Sequence, residues 1–97
     1  MKRVRLTSAA DRDYLQAVAW YEEQQAGLGR EFEVELERLF ARIKDNPEQF
    51  PRATLTVRKA LLPRFHHGIF FTVEADEIGV VAIYHPSRDP AALRRRL

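Results

Sequence analysis

Tyr84–Pro90, YHPSRDP, places ionisable side chains directly after a run of apolar residues. The run Ile78–Ile83 is typical of a buried strand, so these side chains are predicted to lie at its end. His85 can take up or release a proton near neutral pH, and Arg88 can bind a phosphate with two parallel hydrogen bonds. Asp89 is typical of an N-cap, and it can also form a local ion pair with Arg88. The stretch is therefore either a capped turn or a functional site.

Basic side chains also occur around the strand-like segments that precede this stretch. Arg58 lies among apolar residues and is predicted to project from the solvent-facing side of a sheet. Arg64 follows a proline and is expected on the same side. His66 and His67 come just before the next predicted strand. Because the histidines show no ligand spacing beyond this adjacent pair, the sequence predicts no metal site and no cofactor.

Charge is distributed unevenly along the chain, although the formal net charge is only +2. Residues 8–45 are predominantly acidic, whereas residues 1–7 and 46–97 are predominantly basic. If the two basic ends meet in space, they form a cationic face that favours an anionic partner. Near the C-terminus, Arg94 and Arg95 either contact such a partner or form the solvated side of a short helix.

Length and composition indicate one small domain spanning residues 1–97, with 45% hydrophobic and 31% charged residues. No apolar run approaches the roughly 20 residues that a membrane span needs. The basic N-terminus lacks the apolar segment of a signal peptide. The absence of cysteine excludes disulfides and fits a cytoplasmic protein.

The hydrophobic pattern predicts a strand followed by a helical hairpin. Alternation over Lys2–Thr7 predicts a half-buried strand. An apolar stripe at helical spacing predicts a helix over Ala9–Gln25 with Ser8 as its N-cap. A second stripe predicts another helix, which begins at about Arg30 and ends before Asn46-Pro47. Two helices with a short glycine-rich link form an antiparallel hairpin.

The second half of the sequence predicts an antiparallel meander and a last helix. The three predicted strands are Leu55–Leu62, Gly68–Glu74 and Ile78–His85, the last of them central. A short helix is predicted after Pro90. The helical hairpin is expected to cover one sheet face, with Trp20 and Tyr21 packed in the core or between the helices, and to leave the other face open.

Four segments, taken together, resemble the ParE/RelE superfamily of toxins, also called plasmid stabilisation proteins, and the ParE side fits best. They are Trp20–Leu36, Asn46–Pro51, Val57–Phe65 and Ala82–Pro90. The resemblance covers almost the whole chain in order. It implies an α+β fold with a β-α-α-β-β-β-α order and a helical hairpin packed on an antiparallel sheet. It also implies an antitoxin partner whose flexible segment wraps the toxin.

The target that the resemblance implies is DNA gyrase for ParE-like members and mRNA on the ribosome for RelE-like members. Cleavage of mRNA by its own 2′-hydroxyl needs a proton acceptor and cations near the phosphate. The candidates for these roles are Arg58, Arg64, His67, His85 and Arg88. In RelE-like nucleases an arginine usually begins the third strand, and Gly68 occupies that place here. This departure favours binding over catalysis.

We therefore expect a cytoplasmic toxin of a type II toxin–antitoxin system that inhibits gyrase by binding it. A cognate antitoxin is expected to neutralise it in a hetero-oligomeric complex. The residues expected to bind the target or the antitoxin are Arg58, Arg64, His85, Arg88, Arg94 and Arg95. The alternatives are a ribosome-dependent mRNA endoribonuclease and a non-toxic structural partner in an antitoxin complex.

Overall fold

The computed structural model describes residues 2–97, which form three helices and a four-stranded sheet. The elements are β1 (Arg3–Leu6), α1 (Ser8–Gln24), α2 (Leu28–Asp45), β2 (Arg58–Leu62), β3 (His67–Val73), β4 (Glu77–Tyr84) and α3 (Pro90–Arg96). One turn of 3₁₀ helix, Pro47–Gln49, follows α2. The predicted α+β class and the predicted order of elements are confirmed.

The strands lie in the order β1-β4-β3-β2, so β4 is an inner strand as predicted. Strands β2, β3 and β4 form the antiparallel meander. Strand β1 pairs parallel with β4, with Val4 opposite Ile78. The sheet is therefore mixed rather than wholly antiparallel. The parallel pair is possible because both helices and two strands separate β1 from β4 along the chain.

Helix α1 begins one residue earlier than predicted. The hydroxyl of Thr7 accepts a hydrogen bond from the Ala10 amide at 3.1 Å, so Thr7 rather than Ser8 is the N-cap. Tyr21 is buried as predicted, but the prediction for Trp20 is wrong because its side chain is 56% exposed. Neighbouring residues on a helix point about 100° apart, and here only Tyr21 points into the core.

The turn between the helices depends on two glycines. Gly27 adopts a left-handed conformation with φ 88°, which costs a glycine little. Gly29 lies so close to α1 that an added Cβ would be 2.8 Å from the Val18 carbonyl oxygen. The Glu22 carboxylate accepts hydrogen bonds from the amides of both glycines and so caps the start of α2.

The helical hairpin packs on one face of the sheet, as predicted. The predicted stripe of α2 supplies Phe32, Leu36, Leu39 and Ile43 to the core. The sheet contributes residues of its inner strands, among them Ile69, Phe71, Ile78 and Val80. No helix within residues 2–97 combines the length and apolarity needed to cross a lipid bilayer.

The opposite sheet face is partly covered, which corrects the prediction that it stays open. A smaller cluster of buried residues lies there, formed by Val57, Phe70, Ala82 and Tyr84. Leu93 of α3 packs against this cluster. A seven-residue helix is too short to be stable alone, so this packing helps to hold α3 on the sheet.

Strand β2 is shorter than the predicted segment Leu55–Leu62. The hydroxyl of Thr54 accepts hydrogen bonds from the amides of Thr56 and Val57, which closes a local turn. Such side-chain bonds compete with strand pairing. The turn leaves Leu55 at its tip, 89% exposed.

Replacing Gly29 with alanine should destabilise the fold although alanine favours helices. The new methyl group would contact a backbone oxygen that cannot rotate away, so α1 and α2 must separate. Overpacking of this kind costs about 1–3 kcal/mol. Urea unfolding should show this loss for Gly29→Ala and almost none for the exposed Glu23→Ala. A Gly29→Ala variant as stable as the wild type would contradict the close packing of the hairpin.

Candidate functional site

The YHPSRDP stretch connects β4 to α3. The Asp89 carboxylate accepts a hydrogen bond from the Ala91 amide at 2.9 Å, so Asp89 caps α3 as predicted. The alternative of an ion pair between Arg88 and Asp89 is wrong. Arg88 instead donates from Nη1 to a carboxylate oxygen of Asp13 on α1, at 3.2 Å. The stretch therefore joins the helical hairpin to the C-terminal helix.

Asp13 is the centre of this connection, and its side chain is only 3% exposed. Its carboxylate accepts hydrogen bonds from the Ile83 amide at 3.0 Å and from both terminal nitrogens of Arg96. Together with Arg88, these groups form what we call the Asp13 cluster. Two cations and an N–H donor compensate the buried charge. The bond to Asp13 also raises the pKa of Arg96 above its ordinary value.

Tyr84 supports the two arginines of the Asp13 cluster from the sheet. The guanidinium carbons of Arg88 and Arg96 lie 4.2 and 5.0 Å from the centre of its ring. Guanidinium groups bind aromatic faces favourably, and more so where water is excluded. Arg88 is nevertheless 43% exposed along its side chain, so part of its guanidinium remains available to a partner.

His67 and His85 lie side by side next to the Asp13 cluster, with their ring centres 5.2 Å apart. His67 is buried, and its Nδ1 lies 3.0 Å from the Phe65 carbonyl oxygen. A carbonyl oxygen can only accept, so Nδ1 carries the proton and Nε2 has a free lone pair in the neutral ring. Burial lowers the pKa of His67, and the positive charge of Arg88 lowers it further. His67 is therefore neutral at pH 7.

His85 has the opposite arrangement of protons. Its Nδ1 accepts a hydrogen bond from the Ser87 amide at 3.0 Å and lies 2.7 Å from the Ser87 hydroxyl. Because an amide can only donate, Nδ1 of His85 is unprotonated and Nε2 carries the proton. The paired imidazoles thus offer one acceptor nitrogen and one N–H donor.

These side chains line a cavity of about 390 Å³, which we call the α1 cleft. The residues that the argument uses are Asp13, Trp20, Tyr21, His67, His85 and Arg88. Trp20 packs edge-on against Tyr21 with ring centres 5.0 Å apart, so its indole forms an apolar wall. The cleft combines an apolar wall, two imidazoles and a partly exposed guanidinium. Such a mixture binds a ligand with both apolar and polar parts.

The other predicted site residues lie elsewhere. Arg58 was predicted on the open sheet face, but it lies on the helix-packed face opposite Phe71 and donates to the Phe50 carbonyl oxygen at 2.7 Å. Its position follows from strand alternation, since Ala60 and Leu62, two and four residues on, lie in the main core. Arg64 was expected beside it on the open face. It pairs instead with Glu31 of α2 at 2.6 Å.

Arg94 and Arg95 are exposed on α3, where their charges also complement the end of the helix. His66 is exposed in a left-handed conformation with φ 57°, at the turn into β3. A second, smaller cavity of about 170 Å³ lies next to His66 on the opposite sheet face. Within residues 2–97, no cluster of three acidic or histidine side chains is placed to hold a metal ion.

Sequence reasoning missed three contributors to this region, Asp13, Trp20 and Arg96. Asp13 was detectable, because it falls on the buried face of α1 at helical spacing from Ala10 and Ala17. An acid in such a stripe predicts a buried partner. The sequence does not distinguish Arg96 from its two arginine neighbours, because which of the three reaches Asp13 depends on how α3 packs against the sheet.

Replacing Asp13 with asparagine should cost about 3 kcal/mol of unfolding free energy. The substitution keeps the side-chain volume but leaves two arginines without their buried counter-charge. The exposed Asp11→Asn, on the first turn of the same helix, should change stability by no more than about 0.5 kcal/mol. Urea titration of both variants measures the difference. Equal stabilities would show that the Asp13 cluster does not hold the fold together.

The lowered pKa of His67 predicts a loss of stability in mild acid. Below pH 6.5, the ordinary value, the unfolded chain takes up a proton that folded His67 resists, so unfolding becomes more favourable. One proton gives a slope of at most about 1.4 kcal/mol per pH unit. Unfolding free energies at pH 7.5 and 5.5 should differ less in His67→Gln than in the wild type.

The control for this pH experiment is His66→Asn, which alters the adjacent exposed histidine and suits a left-handed backbone. It should keep the wild-type pH dependence. If His67→Gln and the wild type lost the same stability between the two pH values, burial of His67 would not be the cause.

Comparison with known proteins places the chain in a family. A family model described as the ParE toxin of the type II toxin–antitoxin system parDE matches residues 4–90. A search of the curated proteins gives no match. A solved structure of a chromosomal ParDE toxin–antitoxin system from P. aeruginosa shares the fold, with a TM-score of 0.75. It is 18% identical, and the match covers 88% of this chain and 96% of that chain. The match over residues 4–90 shows that the chain belongs to the ParE toxin family of type II toxin–antitoxin systems.

Proposed function

We propose that this ParE-family chain inhibits DNA gyrase by binding it and that a cognate antitoxin neutralises it. Both events are proposed to take place in the cytoplasm, with the antitoxin held in a hetero-oligomeric complex. The observation that carries binding over catalysis is the dispersal of the candidate nuclease residues. Arg58 and Arg64 make structural contacts at the helix-packed side, away from the α1 cleft that contains His67, His85 and Arg88.

The surroundings of Gly68 also support binding. An added Cβ at Gly68 would lie 3.0 Å from Cε of Lys59 and 3.0 Å from Cε1 of Phe70. Lys59 itself lies over the Phe70 ring, 5.6 Å from its centre. An arginine at this position, as in RelE-like nucleases, would have to push aside the flexible end of the exposed Lys59 side chain. The chain therefore lacks that arginine and has a lysine packed beside its place.

The exposed basic side chains of α3 are the best candidates for contact with gyrase. Arg94 and Arg95 are exposed, whereas Arg96 is bound to Asp13. Because Arg96 is bound to Asp13, α3 is held in place, and Arg94 and Arg95 therefore lie on a fixed surface. Positive charges on such a surface favour an acidic partner and speed its association.

A ribonuclease is the second candidate function, because His67, His85 and Arg88 do converge. A neutral imidazole and an N–H donor beside a guanidinium are groups that cleavage of RNA could use. Among residues 2–97, Arg88 is the one cation that lines the cleft, because Arg96 is bound to Asp13, and the lack of a second one disfavours this function. A non-toxic structural role remains the third hypothesis, and growth without antitoxin tests it.

Reversing the charges of Arg94 and Arg95 together should weaken gyrase inhibition at least tenfold. Each Arg→Glu change replaces an attractive charge with a repulsive one, without removing a contact that holds the fold. Purified protein is titrated into a supercoiling assay, and the inhibitory concentration is compared with the wild type. The matched control is Arg12→Glu with Arg30→Glu, two exposed residues of the helical hairpin with the same total change in charge.

Two results would contradict the proposal. One is site-specific cleavage of mRNA by the wild type in a translation extract, with supercoiling unaffected. That result would identify a ribonuclease. The other is equal loss of inhibition in both double variants, which would mean that net charge rather than the α3 surface governs binding. Normal growth of cells that express the chain without antitoxin would favour the non-toxic role.

A further inference from the structure

The α1 cleft has one unusual wall. This wall is formed by Trp20, the only tryptophan in the sequence, whose side chain is 56% exposed. It lies on a helix whose opposite face packs in the core. Leu15 of the same helix is 57% exposed but does not line the cleft. Exposed tryptophans beside a cavity are typical of binding sites, because their large rigid surface gains most when a partner covers it. The indole of Trp20 therefore gives the cleft its apolar binding surface.

The cleft also prefers a negatively charged group. Its one carboxylate, that of Asp13, is compensated by two arginines, so the cluster carries a net charge of +1. Arg88 uses one terminal nitrogen on Asp13 and is 43% exposed. Its remaining N–H groups have no partner among the described residues 2–97 and can bind a carboxylate. Neither histidine adds negative charge.

The two imidazoles supply a third element of recognition. The free lone pair of His67 Nε2 can accept a hydrogen bond, and the proton on His85 Nε2 can be donated. One residue of an extended chain needs this pair, since its own N–H donor and C=O acceptor point to the same side of the chain. The two imidazoles lie side by side, with ring centres 5.2 Å apart, and a helix has no free main-chain groups to offer them because its groups are already paired.

We propose that the α1 cleft binds an extended segment of the antitoxin through one large aliphatic side chain followed by an acidic residue. The aliphatic side chain packs on Trp20 and Tyr21, the N–H and C=O of one extended residue bond to His67 and His85, and the carboxylate pairs with Arg88. A volume of about 390 Å³ suits one or two residues. The identity of the partner rests on the function proposed above, whereas the recognised chemistry rests on the cleft itself.

Blocked dipeptides test the recognised chemistry directly. Acetyl-Leu-Asp-amide is titrated into the ¹⁵N-labelled full chain, and amide shifts are followed around Trp20 and Ser87. Acetyl-Ala-Asp-amide and acetyl-Leu-Asn-amide remove the aliphatic group and the charge in turn. Each should bind at least fivefold more weakly than acetyl-Leu-Asp-amide. Equal affinity for all three, or no shifts at the cleft, would overturn the proposal.

Two helix variants test the location. Trp20→Ala should abolish dipeptide binding, whereas Leu15→Ala should retain it. Both side chains are exposed to the same extent on the same helix, so neither change should unfold the chain. Retained binding in Trp20→Ala, or equal loss in both variants, would overturn the assignment to the cleft.

The same variants separate this proposal from the proposed function. Trp20→Ala should still inhibit supercoiling, but tenfold more of the cognate antitoxin should be needed to reverse the inhibition. Loss of supercoiling inhibition with unchanged affinity for the antitoxin would assign the cleft to the target and overturn the antitoxin segment as its occupant. If wild-type protein failed to inhibit gyrase yet bound the antitoxin through Trp20, only the proposed function would fail.

Discussion

The Asp13 carboxylate connects parts of the chain that are 70 to 83 residues away in sequence. It bonds to the Ile83 amide in β4, to Arg88 after that strand and to Arg96 in α3. The carboxylate is almost fully buried, so each donor is needed to offset the cost of removing it from water. The position of the last helix therefore depends on a charge supplied by the first.

The Asp13 cluster also determines which basic side chains a partner can reach. Arg96 is bound to Asp13 through both terminal nitrogens and to the Val81 carbonyl oxygen, whereas Arg94 and Arg95 are exposed on the same short helix. Arg88 is used only in part and contributes to the α1 cleft. One buried acid thus divides four arginines of the C-terminal segment into structural and available ones. The net charge of the chain does not reveal this division.

Sequence patterns predicted what depends on local periodicity. The apolar stripe of α2 and the apolar run of β4 correctly predicted a helix and a strand, because each pattern reflects which side of the element is buried. These predictions failed where a contact distant in sequence or a local side-chain hydrogen bond determines the structure. Thr54 turned the start of the predicted strand β2 into a loop. Arg58 lies on the helix-packed face because it alternates with the core residues Ala60 and Leu62. Trp20 was predicted inside from its residue type, although the core is already filled at Tyr21.

Shared fold alone does not separate a gyrase inhibitor from a ribonuclease, because one fold can carry unrelated sites. The side chains around Gly68 and in the α1 cleft bear on the choice between the two functions more directly than the fold does. Gly68 stands where RelE-like nucleases usually have a phosphate-binding arginine, and the exposed Lys59 side chain packs beside it. In the α1 cleft the two imidazoles are paired with fixed partners on Nδ1, which sets one as an acceptor and the other as a donor. A fixed partner on Nδ1 orients catalytic histidines as well as recognition histidines, so the two imidazoles fit either function. The glycine in the place of the nuclease arginine therefore carries the argument for binding.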